Sequence, residues 1–189
     1  MAPECVHVID HFLPGHIEDE IESRLLNWQN RFDWYYYANT NYPDNQTRVD
    51  DAPQFIHGFM RADGEASCFS SIPLDIVSHF GVSQSQILRA KANLLMREST
   101  PHIHPRHRDD SAPHYVFIYY VIDSDGDTCL FEGHDIVHRI TPGKGRGVLF
   151  DGRYMHASSA PVDHPIRVVI NFNLSPDIDV SRFSGPQEI

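Results

Sequence analysis

His107, Arg108 and Asp109 form a His-x-Asp inside the run Pro-His-Ile-His-Pro-Arg-His-Arg-Asp-Asp at 101–110. In a strand, residues i and i+2 share a face, so one imidazole and one carboxylate can reach a common point. A second histidine from a neighbouring strand would complete a two-histidine, one-carboxylate facial triad. Such a set leaves coordination positions open on one side and suits non-heme iron(II) doing oxygen chemistry. Of the chain's 13 histidines, the downstream candidates are His114, His134, His138, His156 and His164. His134 and His138 flank an Ile-Val pair near a turn, and His164 lies in the turn Asp163-His164-Pro165. His156 is best placed, since it starts a strand just after the apolar run Val148-Leu149-Phe150.

Eleven residues further on, Arg167 opens the apolar strand Arg-Val-Val-Ile-Asn-Phe-Asn. A buried arginine needs an anionic partner. A dicarboxylate cosubstrate would supply one with bidentate geometry. A structural salt bridge to an aspartate is the plainer option.

These residues need a scaffold that brings distant segments together. Ile17, Ile21, Leu25 and Trp28 recur at helical spacing and predict a helix over 15–30. A second helix is expected over 73–80, ending at Gly81. The aromatic runs 34–37 and 55–59 read as strands. Between them, 39–53 is rich in Asn, Asp, Pro and Thr, which marks a long loop. From residue 87 the pattern changes. Strands are expected at 87–96, 114–122, 128–131, 136–140, 147–150, 155–158 and 167–174. Turn signals at 123–126, 142–145 and 151–152 separate them. Many short strands at close spacing predict an all-β sandwich or barrel. At 189 residues the whole chain is expected to form one domain. Residues 1–86 would be its helical and irregular part, 87–174 its β core, and 175–189 a tail.

Composition narrows the partners. The formal net charge is −11, from 15 basic and 26 acidic residues. A surface of that sign repels phosphate backbones and anionic lipid, so neither nucleic acid nor a membrane is an expected partner. Cys5, Cys68 and Cys129 are odd in number and contain no CxxC, which predicts reduced thiols rather than a disulfide framework or a zinc site. The first 13 residues lack a basic segment followed by an apolar run. The expected compartment is the cytoplasm.

The order of these features resembles the 2-oxoglutarate and iron(II)-dependent dioxygenase superfamily, and within it the prolyl-4-hydroxylase-like branch. The resemblance runs through His107-x-Asp109, Phe117-Ile118-Tyr119-Tyr120-Val121, Ser124-Asp125-Gly126-Asp127-Thr128-Cys129-Leu130-Phe131, Gly145-Arg146-Gly147-Val148-Leu149-Phe150, His156 and Arg167. It covers about residues 87–174. It implies a mainly β fold, a double-stranded β-helix (a cupin-like jelly roll) with N-terminal helices packed on one sheet. It implies that His107, Asp109 and His156 bind Fe(II) and that Arg167 pairs with the far carboxylate of 2-oxoglutarate. Tyr120 falls where the family's tyrosine reaches that carboxylate, and Thr128 lies nearby. Lys91 and Asn93 share one parity on the strand before the metal motif, and Asn93 is the preferred cosubstrate contact. The implied reaction uses O2, converts 2-oxoglutarate to succinate and carbon dioxide, and hydroxylates a prolyl or other side chain of a protein or peptide. One family feature is missing. The tyrosine usual about ten residues before the metal motif is replaced by Leu95, Met96 and Arg97.

Plainer readings stand beside these. A cupin-like isomerase or binding module would use more histidines and would not need Arg167. The same chemistry could act on a free small molecule or a nucleobase. His102 and His104 read as residues of an exposed loop, and Tyr35, Tyr36 and Tyr37 as strand packing. The 39–53 loop is the expected lid over substrate.

Overall fold

A computed structural model describes residues 5–41 and 51–183 of the chain. Ten strands form two sheets: β1 (Val6–Ile9), β2 (Tyr35–Tyr37), β3 (Gln54–Arg61), β4 (Ile87–Met96), β5 (Tyr115–Tyr120), β6 (Thr128–Glu132), β7 (Asp135–Ile140), β8 (Gly147–Asp151), β9 (Met155–Ser158) and β10 (Ile166–Leu174). The larger sheet runs β1-β8-β5-β10-β4-β3-β2, and the smaller runs β7-β6-β9. Every pairing is antiparallel. Two bridges, Ile103 to Ser159 and His107 to His156, lay residues 103–107 along β9 as an irregular fourth member of the smaller sheet. Two facing antiparallel sheets with this strand order make the expected double-stranded β-helix.

Strand alternation divides the side chains of the larger sheet between two environments. Ala90, Ala92, Phe117, Tyr119, Val168, Ile170 and Phe172 face a core shared with helices α1 (Gly15–Leu26) and α2 (Ser71–Ser78). Val116, Ile118, Tyr120, Val148, Phe150 and Val169 face inward, where Leu130 and Tyr154 meet them. The N-terminal helices therefore pack on one sheet, as expected, and leave the space between the sheets for a site. Because β10 is buried on both faces, its inward polar residues Arg167, Asn171 and Asn173 sit in the protein interior.

Four details differ from the sequence reading. Helix α1 stops at Leu26, not at residue 30. Asn27 leaves the helical conformation, and its side chain accepts a hydrogen bond from the Gln29 backbone N–H at 3.0 Å. An asparagine that bonds its own backbone in this way competes with helix propagation. Trp28 is consequently 83% exposed rather than part of the helix's packed stripe. Strand β1 was not expected at all; its four residues are added to the larger sheet by β8. Tyr35 and Tyr36 stand mostly in solvent on the edge strand β2 rather than in packing. The 175–189 segment begins with a packed turn, where Phe183 stacks on Phe80 with ring centres 4.0 Å apart. The centre of the expected lid, 42–50, lies outside the described residues. Among the described residues no helix is long and apolar enough to cross a membrane.

Candidate metal centre

The site begins with a backbone pairing. The His107 N–H donates to the His156 carbonyl, and the His156 N–H donates to the His107 carbonyl, both at 2.9 Å. Two residues that exchange both bonds in an antiparallel pair put their side chains on one face. Their imidazole centres lie 4.5 Å apart. Asp109 reaches the same point, with Oδ1 3.6 Å from His107 Nε2 and Oδ2 4.0 Å from His156 Nε2. It does not get there by strand alternation. His107 is a lone bridge residue, and the chain leaves extended pairing before Asp109. The i, i+2 argument assumed a strand that is not there, although His107 and Asp109 do come together.

One ligand atom from each of His107, Asp109 and His156 lies within 4.8 Å of the others. Metal–ligand bonds of about 2.1 Å at right angles or wider separate ligand atoms by about 3–4 Å. A small closure would bring this set onto one ion. The protonation states suit a cation. His156 is buried, and burial together with neighbouring His107 pulls its pKa down to about 4, so the ring is neutral at pH 7. Its Nδ1 lies 3.4 Å from the Tyr154 carbonyl, which favours the tautomer with the lone pair on Nε2. That buried Nε2 has no hydrogen-bond partner. Burial alone would raise the Asp109 carboxyl, but His107, Arg89, His156 and Lys91 outweigh it and hold it well below the usual carboxylate range. Arg89 Nη2 forms an ion pair with Asp109 Oδ2 at 2.9 Å without an aligned hydrogen bond to it. The donor chemistry fits a divalent metal.

A narrow cavity of about 50 Å³, open to solvent, runs from these histidines between the sheets. Arg167 lies in its wall and is only 3% exposed. Its Nε donates to the Gly126 carbonyl at 2.6 Å, and its Nη2 donates to Thr128 Oγ1 at 2.8 Å. Tyr120 Oη also donates to Thr128 Oγ1, at 2.7 Å. A hydroxyl has two acceptor lone pairs and one hydrogen. With both lone pairs used, the Thr128 hydrogen remains available for a ligand. Among the described residues Arg167 forms no ion pair, so the aspartate partner that would have made it structural is absent. Gly126 is required here. A Cβ on it would stand 2.6 Å from the Ser159 carbonyl oxygen and 2.9 Å from Arg167 Cδ.

Asn93 also lines the cavity, and its Nδ2 donates to Gln54 Oε1 at 2.6 Å. Lys91 lines it from the same face of β4. The described N-terminal end of the 39–53 segment reaches the cavity as well. Thr40 and Asn41 line it, and Gln54 Nε2 donates to the Asn39 carbonyl at 3.0 Å. Tyr120 is fully buried and meets the cavity through Thr128 and through Arg167, whose guanidinium lies 5.7 Å from the centre of its ring. His104 is a correction. It is buried, with Nδ1 2.9 Å from Ser158 Oγ and Nε2 3.6 Å from Glu98, and does not lie on an exposed loop. The Ile103 bridge ties its segment to β9, which no local sequence signal announces.

Sequence reasoning missed Arg89, Gln54 and Asn171. All three are polar residues at inward parity or on a neighbouring strand. Their role depends on strand register, which the sequence does not display.

No known family model matches the sequence, and no curated protein matches it. Solved structures do. The chain superposes on a prolyl hydroxylase from Trichoplax adhaerens, solved with a hypoxia inducible factor peptide, with TM-score 0.60 and 16% identity over 90% of this chain and 83% of that one. A prolyl-4-hydroxylase from Pseudomonas putida gives TM-score 0.60 and 14% identity over 90% and 92%. HygX from Streptomyces hygroscopicus, solved with nickel, 2-oxoglutarate and hygromycin B, gives TM-score 0.57 and 14% identity over 91% and 83%. The chain has the fold of the prolyl hydroxylases and related 2-oxoglutarate oxygenases.

Proposed function

We propose that this protein is an iron(II)- and 2-oxoglutarate-dependent oxygenase that hydroxylates a C–H bond of an amino-acid side chain, a prolyl or other residue in a protein or peptide. The observation that carries the reading is Arg167, a buried guanidinium without a carboxylate partner among the described residues, in the same cavity as a His-Asp-His cluster. A buried charge needs compensation. A dicarboxylate that also reaches the metal ligands compensates it.

His107, Asp109 and His156 would hold the iron. Arg167 and the free Thr128 hydrogen would grip the far carboxylate of 2-oxoglutarate. Tyr120 positions Thr128, and Asn93 and Gln54 border the cosubstrate. When bound, iron and cosubstrate supply the oxidising power, and the cosubstrate ends as succinate and carbon dioxide. The protein's own task is positioning and exclusion of water. Neutral His156 and ionised Asp109 keep the ligand atoms unprotonated at pH 7. The 39–53 segment, whose Thr40 and Asn41 border the cavity, is the proposed lid.

The substrate class rests on likeness to prolyl hydroxylases, one of them holding a peptide. HygX, with hygromycin B bound, shares the fold, so small molecules belong in the same test. The test is a succinate-release screen with iron(II) and 2-oxoglutarate against peptides, free amino acids, small metabolites and oligonucleotides. The expected result is stimulation by a peptide class. Stimulation by oligonucleotides alone would overturn the substrate assignment, and no succinate under any condition would overturn the oxygenase reading.

A further inference from the structure

We propose that Lys91 is a second anion anchor of the cosubstrate site, and that it holds the carboxylate beside the metal while Arg167 holds the distant one. The inference rests on the oxygenase reading and assigns a residue that this reading leaves unused.

The case begins with charge. In a chain of net charge −11, the cavity wall carries two cations, Lys91 and Arg167, and among the described residues no carboxylate. Asp109, the nearest anion, is already paired with Arg89. Among the described residues Lys91 itself makes no hydrogen bond and no ion pair. Lys91 is half-buried in the wall of the open cavity, where its ammonium is accessible to a ligand. Burial, with Arg89 nearby, depresses its pKa to about 8, which leaves it cationic at pH 7.

Position gives the ammonium its ligand. Across β4 and β10, Leu95 faces Arg167 and Lys91 faces Asn171. The two rungs are four residues apart, about 13 Å along the strand. Arg167 and Lys91 therefore enter the cavity from opposite ends. Arg89, one same-face step from Lys91 on β4, contacts Asp109 at 2.9 Å, which places Lys91 at the metal-ligand end of the strand. Asn171, opposite it, leaves its buried Oδ1 without a partner. Asn93, one same-face step away, has already committed an amide hydrogen to Gln54. A 2-oxo acid that meets the metal through its keto-acid end brings a carboxylate to the place where this unpaired ammonium lies.

The experiment is calorimetric titration of manganese(II)-loaded protein at pH 7 with 2-oxoglutarate and with 2-oxopentanoate, which keeps the keto-acid end and lacks the far carboxylate. Lys91→Met should weaken both ligands by a similar factor, about tenfold or more. Arg167→Met should weaken 2-oxoglutarate and leave 2-oxopentanoate unchanged. Lys91→Gln should repeat the Lys91→Met loss, which separates charge from packing, and circular dichroism checks that each variant is folded. Wild-type affinity in both Lys91 variants overturns the proposal, as the ammonium would then serve the prime substrate or none. A Lys91→Met loss confined to 2-oxoglutarate also overturns it. Failure of the wild type to bind 2-oxoglutarate is a different result and removes the oxygenase reading itself.

Discussion

The Arg167→Met variant is expected to keep its metal and lose its cosubstrate. Methionine fills much of the same space without the guanidinium. The proposed metal ligands are on β9 and on 103–109, and among the described residues none contacts Arg167. Metal affinity should therefore change by less than twofold. The cosubstrate loses a charge-assisted, geometrically fixed contact with its far carboxylate. Truncating one partner of a buried charge pair typically costs about 2–5 kcal/mol. At 1.4 kcal/mol per tenfold, that is a loss of about 30-fold to several thousand-fold in 2-oxoglutarate affinity. Calorimetry with manganese(II)-loaded protein reads it. Loss of metal binding in the same variant would mean that Arg167 supports the fold of the site rather than the cosubstrate.

The second large effect is at Asp109. Asp109→Asn keeps the shape and an oxygen for Arg89 while removing the only charged ligand of the cluster. Substitutions of groups that merely orient metal ligands typically cost 10–100-fold in affinity, so removal of the ligand charge should cost at least about 100-fold. In the wild type, metal at a hundred times its Kd adds about 2.7 kcal/mol to stability by mass action. The variant should show almost none of this, read as the difference in melting temperature with and without manganese(II). Its metal-free form should not be severely destabilised. Arg89 is partly exposed and also donates to Asn173 Oδ1 at 3.2 Å, so the arginine left behind keeps a partner and water. An unchanged metal-induced shift would remove Asp109 from the ligand set.

What the sequence made legible follows from local periodicity and from chemistry. The bounds of β4 and β9 agree with the alternation of apolar residues in each segment, and those of β10 do so to within one residue. His107, Asp109 and His156, singled out by residue type and order, come together in the structure, and Arg167 lies in the same cavity. Features set by tertiary contact were not legible. Four residues cannot announce β1 when the partner that makes them a strand, β8, is about 140 positions away. His104 looked like loop because its burial depends on the Ile103 bridge to Ser159. Parity alone gave Lys91 and Asn93 equal standing. The register opposite β10 and the Gln54 contact are what leave Asn93 committed and Lys91 unpaired.

The most direct measurement is calorimetric titration of 2-oxoglutarate into the wild-type protein with and without manganese(II). One cosubstrate per chain should bind, and only when the metal is present, because in this account the keto-acid end needs an ion on the proposed ligands His107, Asp109 and His156. No binding in the presence of metal, or equal binding in its absence, would contradict the account.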